Sequence, residues 1–330
     1  MRLPIAVVAL AAAALGAPAA GAPARVAPPP LGEPGYARPA PRAAESLLLA
    51  ATRAGRRVVA VGEYGNVLLS DDDGKAWRQA KSVATTTTLT AVRFIDAERG
   101  WAVGHGGMVL ATLDGGETWA ALAGKPAGTE ILFSIHMDGA DRGLAVGSYG
   151  LALRTVDGGR RWEEVDLAQG EDGERHLNHI LAAGPDVLLV AAEGGTVFRS
   201  QDRGNTWQAL RTPYKGSLWG GLALADGSVL VYGMRGKILR SADAGRNWTE
   251  VASGTDQSLT GACQSAKGTV VVVGLGGAVV VSDDGGRSFA ARIRPERTSH
   301  AAVVCNEDRS AIVFGPQGVQ VHPLPPRPGS

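Results

Sequence analysis

Six aspartates stand in one recurring phrase, S/T-x-D-x-G-x-x-W/F: Asp72, Asp114, Asp157, Asp202, Asp243 and Asp284. Repeated carboxylates suggest two kinds of chemistry. Two of them facing each other across a cleft would hydrolyse a glycosidic bond, one as acid and one as nucleophile or base. An Asp in a tight turn instead accepts backbone N–H groups a few residues on, the following Gly supplies a positive φ, and the aromatic starts the next strand. Five of the seven Trp close this phrase (Trp77, Trp119, Trp162, Trp207 and Trp248). That use of Trp favours the turn, so the six aspartates are assigned as structural staples and no catalytic residue is assigned.

Other groups could bind rather than react. The residue before the Ser/Thr of the phrase is Arg154, Arg199 and Arg240 in three consecutive copies, against Leu69, Ala111 and Val281 elsewhere. Guanidiniums in a row can meet carboxylates or carbonyls by bidentate contacts, so these three are the candidate partner-binding residues. The alternative is that each pairs with a neighbouring acid or carbonyl. A loop of Glu171, Asp172, Glu174, His176 and His179 invites a metal reading. Three residues apart at the start of a strand, however, the two histidines face opposite sides, so no metal and no other cofactor is assigned. Cys263 and Cys305 fall at aligned positions offset by one residue, which predicts side chains on opposite strand faces and hence buried free thiols.

The elements that position these groups are written seven times. A pair VGxxG, or a close variant, occurs at Gly62/Gly65, Gly104/Gly107, Gly147/Gly150, Ala192/Gly195, Gly233/Gly236, Gly274/Gly277 and Gly315/Gly318. Fifteen residues before each first position stand Leu47, Leu89, Leu132, Leu177, Leu218, Leu259 and His300, and successive phrase aspartates lie 42, 43, 45, 41 and 41 apart. A period of about 40 to 45 residues with about four short strands marks β-propeller blades. The sequence therefore predicts an all-β, seven-bladed propeller of four-stranded blades over residues 44–324, with a tail at 325–330. The seventh unit ends in HPLPPRPGS with no Asp phrase. Its outer strand is expected from Tyr36 to Arg42, with Pro39 and Pro41 tolerated on an edge. One rim of the ring would carry the hairpin residues Glu63, Tyr64, His105, Ser148, Tyr149, Glu193, Met234 and Arg235, near Thr85–Thr88 and His176. Among these Glu63, Tyr64, His105, Tyr149 and Arg235 are a second candidate binding set, and wet hairpin tips are the simpler explanation of them.

Arg2 followed by an apolar run from Ile5 to Leu15, with Ala17-Pro18-Ala19 as a cleavage site, reads as an export signal over residues 1–19. Residues 20–43 form a Pro/Ala-rich linker. A soluble, monomeric, periplasmic or secreted protein is expected. Lys plus Arg number 33 against 32 Asp plus Glu, so no global field draws nucleic acid, and no later stretch is apolar enough to insert in a membrane.

First strands of the LxxVxF type, GWAVG, VGxxG and T-x-D-G-G-x-T-W together resemble the photosystem II stability and assembly factor family, over about Leu47 to Val321. The resemblance implies a seven-bladed propeller without catalysis that assists newly made membrane proteins through arginine clusters, in the thylakoid lumen where the host is photosynthetic. A sialidase-like glycoside hydrolase is the other class with such phrases. Its usual Arg-Ile-Pro motif comes early, whereas the nearest string here, Arg292-Ile293-Arg294-Pro295, comes late.

Overall fold

The structure, a computed structural model, describes residues 35–122 and 130–326. The export segment, the linker up to residue 34 and tail residues 327–330 lie outside the described residues. Seven antiparallel sheets follow one another in chain order as blades 1 to 7, at residues 48–79, 89–121, 132–164, 177–211, 218–251, 259–293 and 302–323. In blades 1 to 6 the strands run first to fourth, from the axis outward, in the order of the chain. Blade 2 gains a fifth, parallel strand, Ser82–Val83, paired with Thr118 and Trp119. The seven-bladed propeller is thus the observed fold.

Each second strand is a short run of apolar residues buried on both faces, such as Val229–Gly233 and Val270–Gly274. Side chains alternate along a strand, so one face meets the preceding blade and the other the next. Val271 and Val273 pack with Ala311 and Val313 of blade 7, whereas Val270 and Val272 pack with Leu230 and Tyr232 of blade 5. The same arrangement gives one apolar cluster at each of the seven junctions. The aromatic closing each Asp phrase enters the junction with the blade before: Trp119 lies between blades 1 and 2, Trp162 between 2 and 3, Trp248 between 4 and 5.

The VGxxG glycines have separate causes. Gly104 is extended, but a Cβ there would collide with the Thr88 carbonyl, so it permits close approach of the first strand. Gly65, at φ 70°, needs the left-handed region, and its Cβ would meet the Thr85 carbonyl. In blade 1 the buried residue paired with Gly62 is Leu48 rather than Leu47. The turn between its first two strands holds only Gly55 and Arg56, one residue fewer than the turn 139–141 of blade 3.

Two expectations are corrected. Blade 7 has three strands among the described residues, and Tyr36–Arg42 is not its fourth. That segment lies along the outside of blade 1 and its linker: Ala37 N–H donates to Val83 O (3.0 Å) and Ala40 N–H to Gln79 Oε1 (2.7 Å). Pro39 and Pro41 have no N–H to give a ladder. The chain then makes a short 3-10 turn, Ala43–Glu45, and Ala43 is buried in the cluster between blades 7 and 1. Trp77 and Phe314 meet edge to face there, 5.7 Å apart, and Asn306 Nδ2 donates to Asp73 O (3.2 Å). The ring is sealed by core packing.

The second correction concerns the cysteines, which form a disulfide, Cys263–Cys305, joining the first strands of blades 6 and 7. The one-residue offset is the reason. Adjacent blades meet through opposite faces, so side chains that share a junction occupy aligned positions one residue apart, as Val271 and Ala311 also do. Replacing both cysteines by Ala is expected to destabilise the fold by about 2–4 kcal/mol. Denaturant unfolding of the variant, and of the native chain with and without reductant, checks this; equal midpoints would show that the junction holds without the bond.

Candidate functional site

The propeller has two faces. The Asp phrases join third to fourth strands on one, and the VGxxG hairpins join second to third strands on the other. On the first face every phrase aspartate accepts hydrogen bonds from its own turn. Asp114 Oδ1 accepts the Thr112 hydroxyl (2.8 Å) and Thr118 N–H (2.9 Å), the Thr112 oxygen accepts Gly116 N–H (3.0 Å), and Trp119 Nε1 donates to Gly116 O (2.9 Å). Asp72, Asp157, Asp202, Asp243 and Asp284 accept the N–H four residues on in the same way. The indole bond recurs only at Trp77 and Trp207, and the Nε1 groups of Trp162 and Trp248 are buried without a partner among the described residues. Hydrogen bonds from the backbone and side chain of Asn247 hold the Asp243 carboxyl down at about 2. At Asp284 burial works upward, but the bonds from Ser288 and Ser282 outweigh it and bring the group to about 2.

The residue between Asp and Gly adopts a positive φ in every phrase, Asp73, Arg203 and Ala244 included, and in all but the Arg203 phrase its carbonyl serves the preceding blade. Arg57 Nη1 donates to Gly115 O (3.1 Å), Trp101 Nε1 to Gly158 O (3.1 Å), Arg199 Nε to Ala244 O (2.8 Å) and Arg240 Nε to Gly285 O (3.3 Å). Two of the three arginines singled out in the sequence are therefore occupied between blades. Arg199 is only 4% exposed, and Arg240 also holds Asp226 Oδ2 and Ser228 Oγ at 2.8 Å. Arg154 is half-exposed and 3.7 Å from Glu163 of its own blade. The three do not form a free arc. This shared acceptor was not readable in the sequence, because the donors are Arg, Trp or Asn from different strands.

The hairpin face is built differently. Its corners read Glu63-Tyr64-Gly65, His105-Gly106-Gly107, Ser148-Tyr149-Gly150, Glu193-Gly194-Gly195, Met234-Arg235-Gly236 and Leu275-Gly276-Gly277. The first position is often a tether: Glu63 Oε1 accepts Leu47 N–H (3.0 Å), and Ser148 Oγ accepts Ile131 N–H (3.0 Å). The second position has φ between 52° and 65° in all six. Gly stands there in three blades, but Tyr64, Tyr149 and Arg235 in the others, with Tyr64 69% and Tyr149 75% exposed. Met234 (37%) and Leu275 (38%) add apolar surface to the same face, and His105 is exposed beside them. His176 belongs here: its Nδ1 accepts Tyr149 N–H (2.9 Å) and its ring meets those of Tyr149 (4.7 Å) and Phe133 (6.0 Å). His179 instead lies in the central channel, and Asp172 is taken by Arg175 and Arg211. The loop residues that invited a metal reading thus stand apart.

In blades 1 to 6 the first strand carries a bulge at its second residue, next to the hairpin. The extra residues, among them Leu49, Phe133 and Trp219, line the channel mouth on the hairpin side. Missing from the sequence reading was the left-handed corner. The signal was there: a Tyr or Arg aligned with Gly at a position before an invariant-φ glycine.

Residues 82–228 match the family described as photosynthesis system II assembly factor YCF48, which bears out the resemblance drawn from the repeats. No curated protein matches the chain. Among solved structures the fold is similar to that of "YCF48 bound to D1 peptide", at 21% identity over 91% of this chain and 100% of that one, with a TM-score of 0.66. YCF48 from Cyanidioschyzon merolae follows at 17% identity, 88% and 99% coverage and a TM-score of 0.66. The WD40 propeller domain of Doa1 is similar at 15%, 84%, 92% and 0.66.

Asp114→Ala strands the N–H and hydroxyl groups that the carboxylate accepts and is expected to lower stability by about 1–3 kcal/mol, read by thermal or denaturant unfolding. Acid supplies a second check. A carboxyl depressed on folding contributes stability above its unfolded value, lost as pH falls through its folded one. With Asp243 and Asp284 near 2 against an ordinary 3.8, stability should hold at pH 5 and fall between about pH 4 and pH 2. Asp243→Asn should flatten that fall; an unchanged acid limb would contradict the assignment.

Proposed function

We propose that this relative of the YCF48 factors is an exported, non-catalytic scaffold that holds a segment of a membrane protein on its hairpin face. The observation that carries the reading is the set of large side chains at left-handed corners. A non-Gly residue there costs about 1–2 kcal/mol, and such local strain gathers at functional positions. Tyr64, Tyr149 and Arg235 occupy corners at which Gly serves three other blades equally well. With the apolar mouth at Leu49, Phe133 and Trp219, they offer aromatic, apolar and one cationic contact to an extended chain, the mix enriched at binding hot spots.

Three further points support this reading. One solved relative is described as bound to a D1 peptide. The sequence of residues 1–19 has the form of an export signal, and the Cys263–Cys305 bond suits an oxidising compartment. Among the described residues no helix is long and apolar enough to cross a membrane. Phrase carboxylates held by their own turns suit staples better than acid–base catalysis, which does not favour the glycosidase reading.

Tyr64→Gly and Tyr149→Gly together relieve corner strain, so stability should change by less than about 1 kcal/mol per site, while capture of the partner from solubilised membranes should fall. Arg199→Gln and Arg240→Gln should do the reverse, lowering the melting temperature without selective loss of binding at temperatures where the fold persists. Full capture by the tyrosine variant, or loss of capture by a folded arginine variant, would place the partner elsewhere.

A further inference from the structure

The first strands enclose a central channel of about 540 Å³, within the roughly 300–1,000 Å³ typical of small-molecule sites. Its wall is divided. Blades 2, 3 and 4 contribute Arg93, His136 and His179, while the opposite side carries apolar residues such as Ala50, Leu222 and Ala262 along with Thr52 and Thr260. No Asp or Glu lines it among the described residues. Asp138, two residues beyond His136, acts on that imidazole more weakly than burial and the Arg93 charge do.

Arg93 is open to the channel solvent yet ringed by protein, and no acid or carbonyl acts on its guanidinium, since burial alone pushes it down. A charge in such a place wants a counter-ion. Burial, then the Arg93 charge, lowers His136 and His179 to about 4, so near pH 7 both are neutral and each keeps one N–H to donate. Near His179, Ser134 Oγ accepts Ile180 N–H (3.2 Å) and lies 3.5 Å from His179 Nδ1, where its hydroxyl can either donate to or accept from the imidazole.

We propose that the channel binds a small organic carboxylate, with its charge on Arg93 beside the two imidazoles and its short apolar body against the alanine and leucine wall. A planar guanidinium grips a carboxylate by paired bonds, and the small residues opposite leave room for a few carbons. This site is separate from the hairpin face and does not rest on the partner reading.

Titration of the full chain with butyrate at pH 7, followed by imidazole NMR resonances and by melting temperature, tests the site. Butyrate should shift the His136 and His179 signals and raise the melting temperature. Arg93→Gln breaks no hydrogen bond or ion pair within the protein, so it should fold normally and bind about tenfold more weakly or worse, while Arg93→Lys should keep part of the affinity. Inorganic phosphate separates a carboxylate with an apolar body from any oxyanion. Equal responses to phosphate and butyrate, unmoved imidazole signals at tens of millimolar, on the order expected of weak sites, or undiminished binding by Arg93→Gln would each overturn the proposal.

Discussion

Every second strand is buried on both faces, and the alternation of its side chains divides them between two neighbours. Val271 and Val273 belong to blade 7, Val270 and Val272 to blade 5. No blade can bury both faces alone, so stability is a property of the closed ring, as in other repeat architectures. The phrase aspartates act within that constraint. Each fixes a turn whose aromatic fills one junction and whose exposed carbonyl is taken, in most blades, by a donor from the blade before.

The same constraint separates stability from recognition. The Asp-phrase face carries the cross-blade bonds of Arg57, Trp101, Arg199 and Arg240, so those four side chains are already engaged, although Leu113 and Val156 stand exposed there. On the hairpin face the strand ends are held by backbone pairing and by first-position tethers such as Glu63 and Ser148. The second corner position is left to point outward, and there the chain places Tyr64, Tyr149 and Arg235.

Blade number, strand order and the turn phrase were legible because they repeat at a fixed period, and repetition survives local ambiguity. What failed was reasoning that treated one blade in isolation. Cys263 and Cys305 were expected to diverge because one residue reverses a strand face, but between blades opposite faces meet, and the offset brings the sulfurs together. Three aligned arginines suggested a surface, yet Arg199 and Arg240 reach carbonyls whose direction depends on positive-φ residues that no letter pattern announces. The closing segment failed for a simpler reason, since Pro39 and Pro41 leave too few donors for a strand. The basic half of the channel was not legible at all: Arg93 and His136 occupy the same repeat position, His179 stands two residues nearer its hairpin, and the three share no phrase.

The central question is which face meets a partner. A photo-crosslinking side chain placed at position 149, and separately at position 154 on the Asp-phrase side, would decide it in membranes that contain the partner. A discrete adduct from position 149, with none from 154, is the predicted result. Adducts from 154 alone would contradict the account and return the arginine-bearing face as the binding surface.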